Sequence, residues 1–150
     1  MPVSWKERNA EIIADFRKNG GKISPGINAI LAQVEVVLIT MKGAKSGAQY
    51  VVPLTCFPLE EGDFFVVASA GGAPRTPSWY HNLKAHPDVL IERGIERYPA
   101  VATLVEDPTE RAHLYAQTTR VRSEFADYER KAGRLIPVFI VRRKPERDAN

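Results

Sequence analysis

The chain has 150 residues, which is close to the commonest size of a single domain and enough to bury one hydrophobic core. Its apolar fraction of 44% and charged fraction of 26% are typical of a globular protein, and no segment reaches the ~18 consecutive apolar residues of a membrane span. The net charge is +3 and basic residues are dispersed outside 142–144, so nucleic acid is not the expected partner and a small acidic ligand fits better.

The first 30 residues are predicted to form a helix and a linker, followed by the body of one domain over 31–145 and a tail over 146–150. Ser4 and Glu7 have the spacing of a capping box, so a helix is expected over about 4–18. The glycines within 19–21 then end it. The residues that fall on its apolar face are Trp5, Ile12, Ile13 and Phe16.

Several features of this first region predict a cytoplasmic protein. Residues 5–8 read Trp-Lys-Glu-Arg, where a secretory signal needs an uninterrupted apolar run. The single cysteine, Cys56, cannot form an internal disulfide and lies in an apolar run typical of a buried thiol. The N-terminal helix also carries basic residues, which leaves two hypotheses: it docks on the body or in a dimer contact, or it lies on an anionic membrane surface.

Six runs rich in β-branched and apolar residues predict strands. The first run has almost no polar interruption, which indicates a strand covered on both faces. The first three runs are expected to form an antiparallel meander, and the next two a hairpin that turns at Gly94. The six predicted strands span 34–41, 50–57, 64–69, 89–92, 97–105 and 135–141.

Two later regions are predicted to be helical. Ser78 is expected to cap a short helix that ends at Ala85. Residues 107–110 form a strong helix start, with Asp at the cap, Pro at the first position and Glu three residues after the cap, and helical segments continue to about residue 131. Because the strand connections are too short for parallel crossovers, the sequence predicts a mainly β, α+β protein: an antiparallel barrel of about six strands flanked by helices.

The usual catalytic constellations are weak in this sequence. It has three histidines, one cysteine and no paired carboxylates in a suggestive spacing, so no hydrolase triad is predicted. His81 and His86 are five residues apart across a helix end, which is poor spacing for metal ligands, and no metal site is expected. Residues 43–47 have the glycines, lysine and hydroxyl of a phosphate loop, but the lysine does not directly follow the second glycine as a Walker loop requires.

Two segments nevertheless suit an anion. The 43–47 turn exposes backbone N–H groups beside Lys45 and Ser46, although a plain hairpin turn explains its glycines equally well. The segment 71–83 is rich in Gly and Pro; within it Arg75 offers a planar fork for phosphate or carboxylate, and the start of the following helix favours negative charge.

The helix in the second segment has a structural role as well. Trp79 and Leu83 are spaced i, i+4 and can pack this helix on the barrel. Packing on the barrel and ligand binding can coexist in this helix.

Several motifs occur in an order that resembles one known family. They lie at 38–47, 67–69, 72–74, 77–83 and 136–138. Over about 30–145 they resemble the deazaflavin (coenzyme F420)-dependent, nitroreductase-like oxidoreductases of actinobacteria. The resemblance implies a split antiparallel β-barrel of the FMN-binding type, transfer of hydride from reduced F420 to a quinone, enone or nitro acceptor, and a barrel that often pairs as a homodimer.

The resemblance also implies coenzyme-binding residues. Lys45 and Ser46 would hold the phosphate region, residues 67–70 would line the ring, and residues 78–82 would cover the ring and ribityl chain. Arg75 would meet the acidic oligoglutamate tail, so the two anion features acquire a matching ligand. The implied coenzyme-binding residues are Ala44, Lys45, Ser46, Tyr50, Val51, Val52, Pro53, Leu54, Thr55, Val67, Ala68, Ser69, Ala70, Arg75, Ser78, Trp79, Tyr80, His81, Asn82 and Phe125.

The sequence departs from the family pattern in three places. Ala44 and Tyr50 stand where arginine is frequent, which implies weaker binding of the acidic tail. Phe125 and Tyr128 map to the aromatic acceptor pocket, but Arg122 falls where a tyrosine can occur. The choice of acceptor is therefore open.

Hydride transfer from a bound coenzyme needs no protein nucleophile, only orientation of donor and acceptor. The negative charge that develops on the acceptor needs hydrogen-bond donors, for which Ser69 is one candidate. The donors assigned as catalytic are Ser78, Tyr80 and Tyr128.

Two other functions remain open from the sequence. An FMN-dependent reductase or oxidase on the same barrel is one, because FMN shares the ring shape and a phosphate with F420. A carrier that binds coenzyme or another ligand without turnover is the other.

Overall fold

In the computed structural model, residues 5–69 and 72–145 are described, and they form seven strands and four α-helices. The proposed cap Ser4, the side chain of Trp5 and the ring-lining candidate Ala70 lie outside this description. The helices are α1 (Trp5–Lys18), α2 (Ser78–Ala85), α3 (Pro108–Val121) and α4 (Phe125–Ala132). The strands are β1 (Val36–Lys42), β2 (Gln49–Thr55), β3 (Phe57–Pro58), β4 (Phe64–Val67), β5 (Asp88–Arg93), β6 (Glu96–Leu104) and β7 (Val138–Arg143).

All the strand pairs are antiparallel, and the sheet order is β2-β1-β5-β6-β7-β4-β3. Its two end strands, β2 and β3, are separated in the chain by Cys56 alone, whose N–H donates to the carbonyl of Glu35 at 2.9 Å. The sheet must therefore curl until its ends meet, which gives the predicted barrel-like α+β architecture.

The predicted meander is correct in only one of its pairings. β1 and β2 pair along their whole length, from Val36 opposite Thr55 to Lys42 opposite Gln49. The third predicted run, however, becomes β4, which pairs with β7 over four residues and with the second run only through the two residues of β3. The second run is one prediction but two strands, because the chain bends at Cys56 to change partners.

β1 is covered on both faces, as its uninterrupted apolar run predicted. Its odd-numbered residues, such as Val37 and Ile39, enter the barrel core, and its even-numbered residues, such as Val36 and Leu38, pack under α1. The side chains of Ile12 and Phe16 are buried in that second cluster. Of the two hypotheses for α1, docking on the body is confirmed.

α1 also makes polar contacts with the barrel. Arg17 donates to both carboxylate oxygens of Glu92 on β5, at 3.0 and 2.8 Å. Together with the burial of Ile12 and Phe16, this ion pair fixes α1 on the barrel. Among the described residues, no helix is long and apolar enough to cross a membrane.

The cap predicted for α3 is confirmed. Asp107 precedes the helix, and its carboxylate accepts a hydrogen bond from the N–H of Glu110 at 3.0 Å, with Pro108 in the first turn. α3 and α4 cover another apolar cluster, separate from the one under α1, on the outer face of β4 and β7. Arg111 links the two helices through Glu129 at 2.8 Å.

The cap predicted for α2 is wrong. Pro77 occupies the N-cap position with an extended backbone, Ser78 is the first helical residue, and no side chain caps the helix. Proline lacks an N–H, so it can precede the helix without leaving a donor unpaired. The prediction that Trp79 and Leu83 pack α2 on the barrel is confirmed, since both side chains are buried in the barrel core cluster.

Candidate functional site

An open cleft of about 570 Å³ lies between β2, the 72–77 loop, the start of α2 and the α3–α4 connection. Most of its walls are apolar, and Trp79 and Phe125 contribute aromatic side chains. A cleft of this size and character is typical of a small-molecule site. The lining residues are Asn9, Leu31, Val52, Pro53, Leu54, Thr55, Phe57, Val67, Ser69, Ala73, Pro77, Ser78, Trp79, Arg122 and Phe125.

One wall of the cleft is the end strand β2, through residues 52–55. β2 pairs with β1 on one side and has no strand on its other side within the described part of the chain. Proline is tolerated in strands with such a free edge, which explains Pro53 in the middle of β2. A strand with one free edge can present its backbone and side chains to a ligand along its length.

The loop that follows β4 forms a second wall and is held by one arginine. Gly133 ends α4 in a left-handed conformation (φ 68°), and Arg134 comes next. Its guanidinium donates to four backbone carbonyls at 3.2 Å. Those carbonyls belong to Ala68, Ser69, Ala73 and Arg75.

The same loop is fixed from the other side by α4. Gly72 has a φ of +83°, and a Cβ there would lie 3.2 Å from side-chain atoms of both Tyr128 and Lys131. Only glycine fits this contact without strain. The cleft wall is therefore a supported loop, despite its high content of Gly and Pro.

The start of α2 forms the third wall. Ser78 is exposed and Trp79 is 9% exposed, and both line the cleft. The indole of Trp79 also packs toward the ring of Phe139 in the barrel core, with centroids 6.1 Å apart. Trp79 thus contacts the core and the cleft at once, as its spacing with Leu83 allowed.

The Gly43–Gly47 turn is joined directly to α2. Asn82 accepts a hydrogen bond from the N–H of Ala44 at 2.9 Å, and its amide donates to the sulfur of Met41 at 3.8 Å. Lys45 and Ser46 are exposed on this turn. The two anion features predicted separately from the sequence are therefore parts of one assembly, connected through one helix.

A side chain at the first glycine of the turn would meet two neighbouring side chains, which would have to move. A Cβ on Gly43 would lie 2.8 Å from Oγ of Ser46 and 2.8 Å from Cε2 of Tyr50. We expect Gly43→Ala to lower the free energy of unfolding by about 1–3 kcal/mol through overpacking, and to displace Ser46. Urea denaturation measures this loss.

Gly26→Ala is the matched control for the turn, because a Cβ there meets no atom within 4 Å. Its free energy of unfolding should change by less than about 0.5 kcal/mol. Equal stability of the two variants would contradict the close packing of the 43–47 turn.

The α3–α4 connection places a charged cluster on the cleft wall. The guanidinium of Arg122 lies 4.9 Å from the centre of the Phe125 ring and donates to Glu124, to Thr55 and to the hydroxyl of Tyr128, all at 3.2–3.3 Å. The backbone N–H of Glu124, followed by Arg122, lowers the pKa of the Glu124 carboxyl, which stays ionised at neutral pH.

The buried side chain of Tyr115 supports the α3–α4 connection. The hydroxyl of Tyr115 donates to the carbonyl of Phe125 at 2.9 Å. Burial raises the pKa of Tyr115 to about 12, so the hydroxyl keeps its proton and the hydrogen bond throughout the neutral range. The position of Phe125 in the cleft therefore depends on this hydrogen bond to a buried side chain of α3.

Comparison with known proteins decides the family. The family described as "F420H(2)-dependent quinone reductase" matches residues 9–143, which is most of the chain. The chain belongs to this family. An F420H(2)-dependent quinone reductase of Mycobacterium tuberculosis is 33% identical over 159 residues, spanning 96% of this chain and 100% of that protein.

Two solved structures are similar to this member of the quinone reductase family. An F420-H2 dependent reductase (FDR-A) is 43% identical, covers 71% of this chain and 92% of its own, and superposes with a TM-score of 0.64. A structure titled as a domain-swapped dimer is 36% identical, covers 91% of this chain and 96% of its own, with a TM-score of 0.66. The resemblance to F420-dependent split-barrel oxidoreductases is confirmed, and with it the fold.

The structure brings many of the residues implied by the family resemblance to the cleft. They come from four separate segments of the chain, which the curled sheet gathers at one end of the barrel. Those that line it are Val52, Pro53, Leu54, Thr55, Val67, Ser69, Ser78, Trp79 and Phe125.

Other implied residues lie away from the cleft lining. Ala68 is fully buried in the barrel core, and Tyr80 packs against that core with its ring 5.7 Å from Phe139 and 5.1 Å from the exposed His81. Tyr128 lies behind Arg122, to which it is hydrogen bonded. The remaining residues outside the lining are Ala44, Lys45, Ser46, Tyr50, Val51, Arg75 and Asn82.

Sequence reasoning missed several lining residues. Asn9 and Leu31 reach the cleft because α1 and the following turn pack beside β2, and the sequence carries no local signal of that contact. Phe57 could have been included as the last residue of the second predicted run. Arg122 was visible only as a departure from the family pattern.

The histidines and the cysteine do not form a chemical site among the described residues. No group of three His, Cys, Asp or Glu side chains there could hold a metal ion. Burial raises the pKa of the Cys56 thiol to about 12, so it stays protonated and unreactive at neutral pH.

Proposed function

We propose that this chain binds reduced coenzyme F420 in the cleft and uses it to reduce a quinone. The observation that carries this is the joining of an apolar, aromatic-walled cleft to an exposed Lys-Ser turn through the hydrogen bond between Asn82 and Ala44. A coenzyme with a flat ring and a phosphate-bearing chain needs an apolar surface for the ring and an anion-binding surface for the phosphate in one continuous site.

The walls of the cleft fit a flat ring. Val67 and the aromatic Trp79 and Phe125 offer apolar contact, and Ser69 and Ser78 add hydroxyl groups at the same surface. A polar group on a largely apolar wall fixes the orientation of a ligand more than its affinity. We therefore assign residues 67–69 and 78–79 to the ring, together with residues 52–55 of β2 along its side.

The outer turn fits the anionic part of the coenzyme. Lys45 and Ser46 are exposed on this turn, where an ammonium group and a hydroxyl group can both bind a phosphate. Arg75 is exposed on the 72–77 loop, and its side chain has no ion pair among the described residues, so it can meet a carboxylate of the tail.

The bound coenzyme would supply the hydride, so the protein supplies position and hydrogen bonds. The cleft orients the acceptor against the ring and excludes part of the water from it. Ser78 is the catalytic candidate that lines the cleft, whereas Tyr80 and Tyr128 act, in this proposal, by fixing α2 and Arg122 respectively.

The assembly and location of the chain are further parts of the proposal. A homodimer is supported by the similar solved structure titled as a domain-swapped dimer. A cytoplasmic location fits the free thiol of the single cysteine, Cys56. Ile12 and Phe16 on the apolar face of α1 are buried against the barrel, which argues against a peripheral membrane role for that part of the helix.

The proposed function is tested by titrating the protein with F420 and, separately, with FMN while following fluorescence, and then adding menadione to the reduced complex. We expect tight F420 binding and oxidation of the reduced coenzyme by the quinone. Preference for FMN would replace the proposed coenzyme, and F420 binding without turnover of any quinone, enone or nitro compound would indicate a carrier.

The anion assignment predicts a dependence on tail length. Lys45→Gln and Arg75→Gln should each weaken F420 binding by about two- to fivefold, as expected for exposed charge pairs, and the loss in Arg75→Gln should be larger for longer oligoglutamate tails. Fluorescence titration with coenzyme of defined glutamate number measures this.

Lys22→Gln is the control for that series, since Lys22 is exposed in the linker after α1 and lines no part of the cleft. Its affinity for F420 should equal that of the unaltered protein at every tail length. A loss in Arg75→Gln that does not vary with glutamate number would remove Arg75 from the tail site, and unaltered affinity in Lys45→Gln would remove Lys45 from the phosphate site.

A further inference from the structure

Arg122 is the only charged side chain among the described residues that line the cleft. Its side chain is 15% exposed, stacks on the ring of Phe125 and reaches across to Thr55 on the opposite wall. A guanidinium held at the wall of a largely apolar cleft is a strong hydrogen-bond donor to a bound ligand.

The hydrogen bonds of the Arg122 guanidinium use four of its five N–H groups. Nε and Nη2 donate to Glu124, Nη2 also donates to the hydroxyl of Tyr128, and Nη1 donates to Oγ1 of Thr55. A guanidinium carries five N–H groups, two of them on Nη1. The second N–H of Nη1 therefore has no acceptor among the described residues, and it belongs to the nitrogen that already contacts a cleft residue.

The side chain of Arg122 is not needed to build the α3–α4 connection. Backbone bonds do that: the N–H of Arg122 donates to the carbonyl of Thr118 at 2.9 Å, and its carbonyl accepts from the N–H of Phe125 at 3.1 Å. The guanidinium is instead braced by Glu124 on one edge, which fixes its plane and leaves the Nη1 end toward Thr55.

We propose that Arg122 binds the carbonyl oxygen of the quinone acceptor and stabilises the negative charge that forms there. This inference rests on the proposed function. A quinone that receives a hydride gains two electrons and one hydrogen and becomes a hydroquinone monoanion, with its charge on oxygen, while the coenzyme is oxidised. One proton from water then completes the hydroquinone.

Glu124 sets the charge of this acceptor site. Its carboxylate is ionised and bonded to Arg122, so the pair is close to neutral and suits an uncharged quinone whose oxygen becomes negative only during the reaction. Removing the Glu124 charge would leave a net cation at the same position. The pair therefore also selects against acceptors that are anionic before they react.

The first test compares Arg122→Gln and Arg122→Lys with Arg120→Gln, which removes an exposed charge two residues away on α3. We expect kcat/KM for menadione to fall by about tenfold to a hundredfold in Arg122→Gln, as for loss of an oxyanion donor, with partial recovery in Arg122→Lys. Arg120→Gln should match the unaltered protein. F420 affinity should fall much less than kcat/KM in the two Arg122 variants, because the proposed ligand of Arg122 is the acceptor, and it should stay within about twofold in Arg120→Gln, where an exposed charge is removed.

A second test reads acceptor binding without turnover. In a Trp5→Phe background Trp79 is the only tryptophan, and quinone quenching of its emission reports occupancy of the cleft with oxidised F420 held at saturation. We expect Glu124→Gln to tighten binding of the anionic 2-hydroxy-1,4-naphthoquinone by about threefold relative to menadione, as a partly exposed charge would. Arg122→Gln should weaken both quinones.

The outcomes separate this inference from the proposed function. Unaltered quinone binding and kcat/KM in Arg122→Gln would overturn the inference, and so would a loss of F420 affinity as large as the loss in kcat/KM, which would assign Arg122 to the coenzyme. If the unaltered protein binds quinone but does not turn it over, the proposed function fails while the quenching series still decides the role of Arg122.

Discussion

Replacing Arg134 by methionine is expected to lower the free energy of unfolding by about 2–4 kcal/mol, because charged hydrogen bonds to several carbonyls are lost and some of those carbonyls are buried. Arg134 donates to four carbonyls of the 68–75 segment. Methionine keeps the stem of the side chain and removes every donor. Urea denaturation followed by far-UV circular dichroism measures the change.

The same substitution should weaken F420 binding by at least about tenfold, equivalent to 1.4 kcal/mol. The segment that Arg134 holds forms the cleft wall at Ser69 and Ala73 and leads into Ser78. Without its anchor the wall must be ordered when the ligand binds, and that conformational entropy is taken from the affinity. Fluorescence titration at a temperature where the variant is folded separates this effect from the loss of stability.

Arg130→Met is the matched control on the neighbouring helix α4. Arg130 is 81% exposed and bonds only Asp127 among the described residues. Exposed ion pairs of this kind contribute little, so stability should change by less than about 1 kcal/mol and affinity not at all. If Arg134→Met behaved like Arg130→Met, the loop would not depend on this arginine.

Arg134 also shows where sequence reasoning stops. The Gly and Pro content of 71–77 suggested a loop that is costly to order, and residues 72–77 do form a loop between β4 and α2. The residue that orders it lies about 60 positions later, after α4. No local pattern connects the two segments, because the contact exists only once β4 and β7 are paired.

The positions of individual strands could be predicted from the sequence more reliably than their pairing partners. The apolar runs located every strand except the short β3 to within a few residues, and the uninterrupted run of β1 correctly predicted burial on both faces. Pairing was not readable in the same way: β4 meets β7 across some 70 residues, and the change of partner at Cys56 depends on sheet closure. The barrel fold itself could be predicted from the short connections between strands and from the family resemblance.

The candidate site followed the same division. Residues on the motifs, such as Trp79 and Ser69, could be assigned because the resemblance carries them position by position. Arg122 was noticed because it departs from the expected tyrosine, yet its meaning required the contacts with Thr55, Glu124 and Tyr128. A departure from a family pattern marks where specificity can differ, and the three-dimensional contacts say how.

The cleft also depends on the barrel core beneath it, and Phe139 is the residue that joins them. It is fully buried on β7, and its ring lies 6.1 Å from Trp79 and 5.7 Å from Tyr80 on α2. We expect Phe139→Ala to lower the free energy of unfolding by about 3–5 kcal/mol through loss of buried surface and creation of a cavity. Phe139→Leu, which keeps most of the volume, should cost less than half as much.

The position of this cavity predicts an effect on binding that stability alone does not. Phe64→Ala opens a comparable cavity in the same core cluster, but Phe64 has no ring contact with α2. Both variants should therefore lose similar stability, whereas only Phe139→Ala should weaken F420 binding, by about tenfold, since the support of Trp79 is worth about 1.4 kcal/mol. Equal coenzyme affinity in the two variants, measured well below their unfolding temperatures, would mean that α2 is positioned by the Asn82 contact with the 43–47 turn and not by the core.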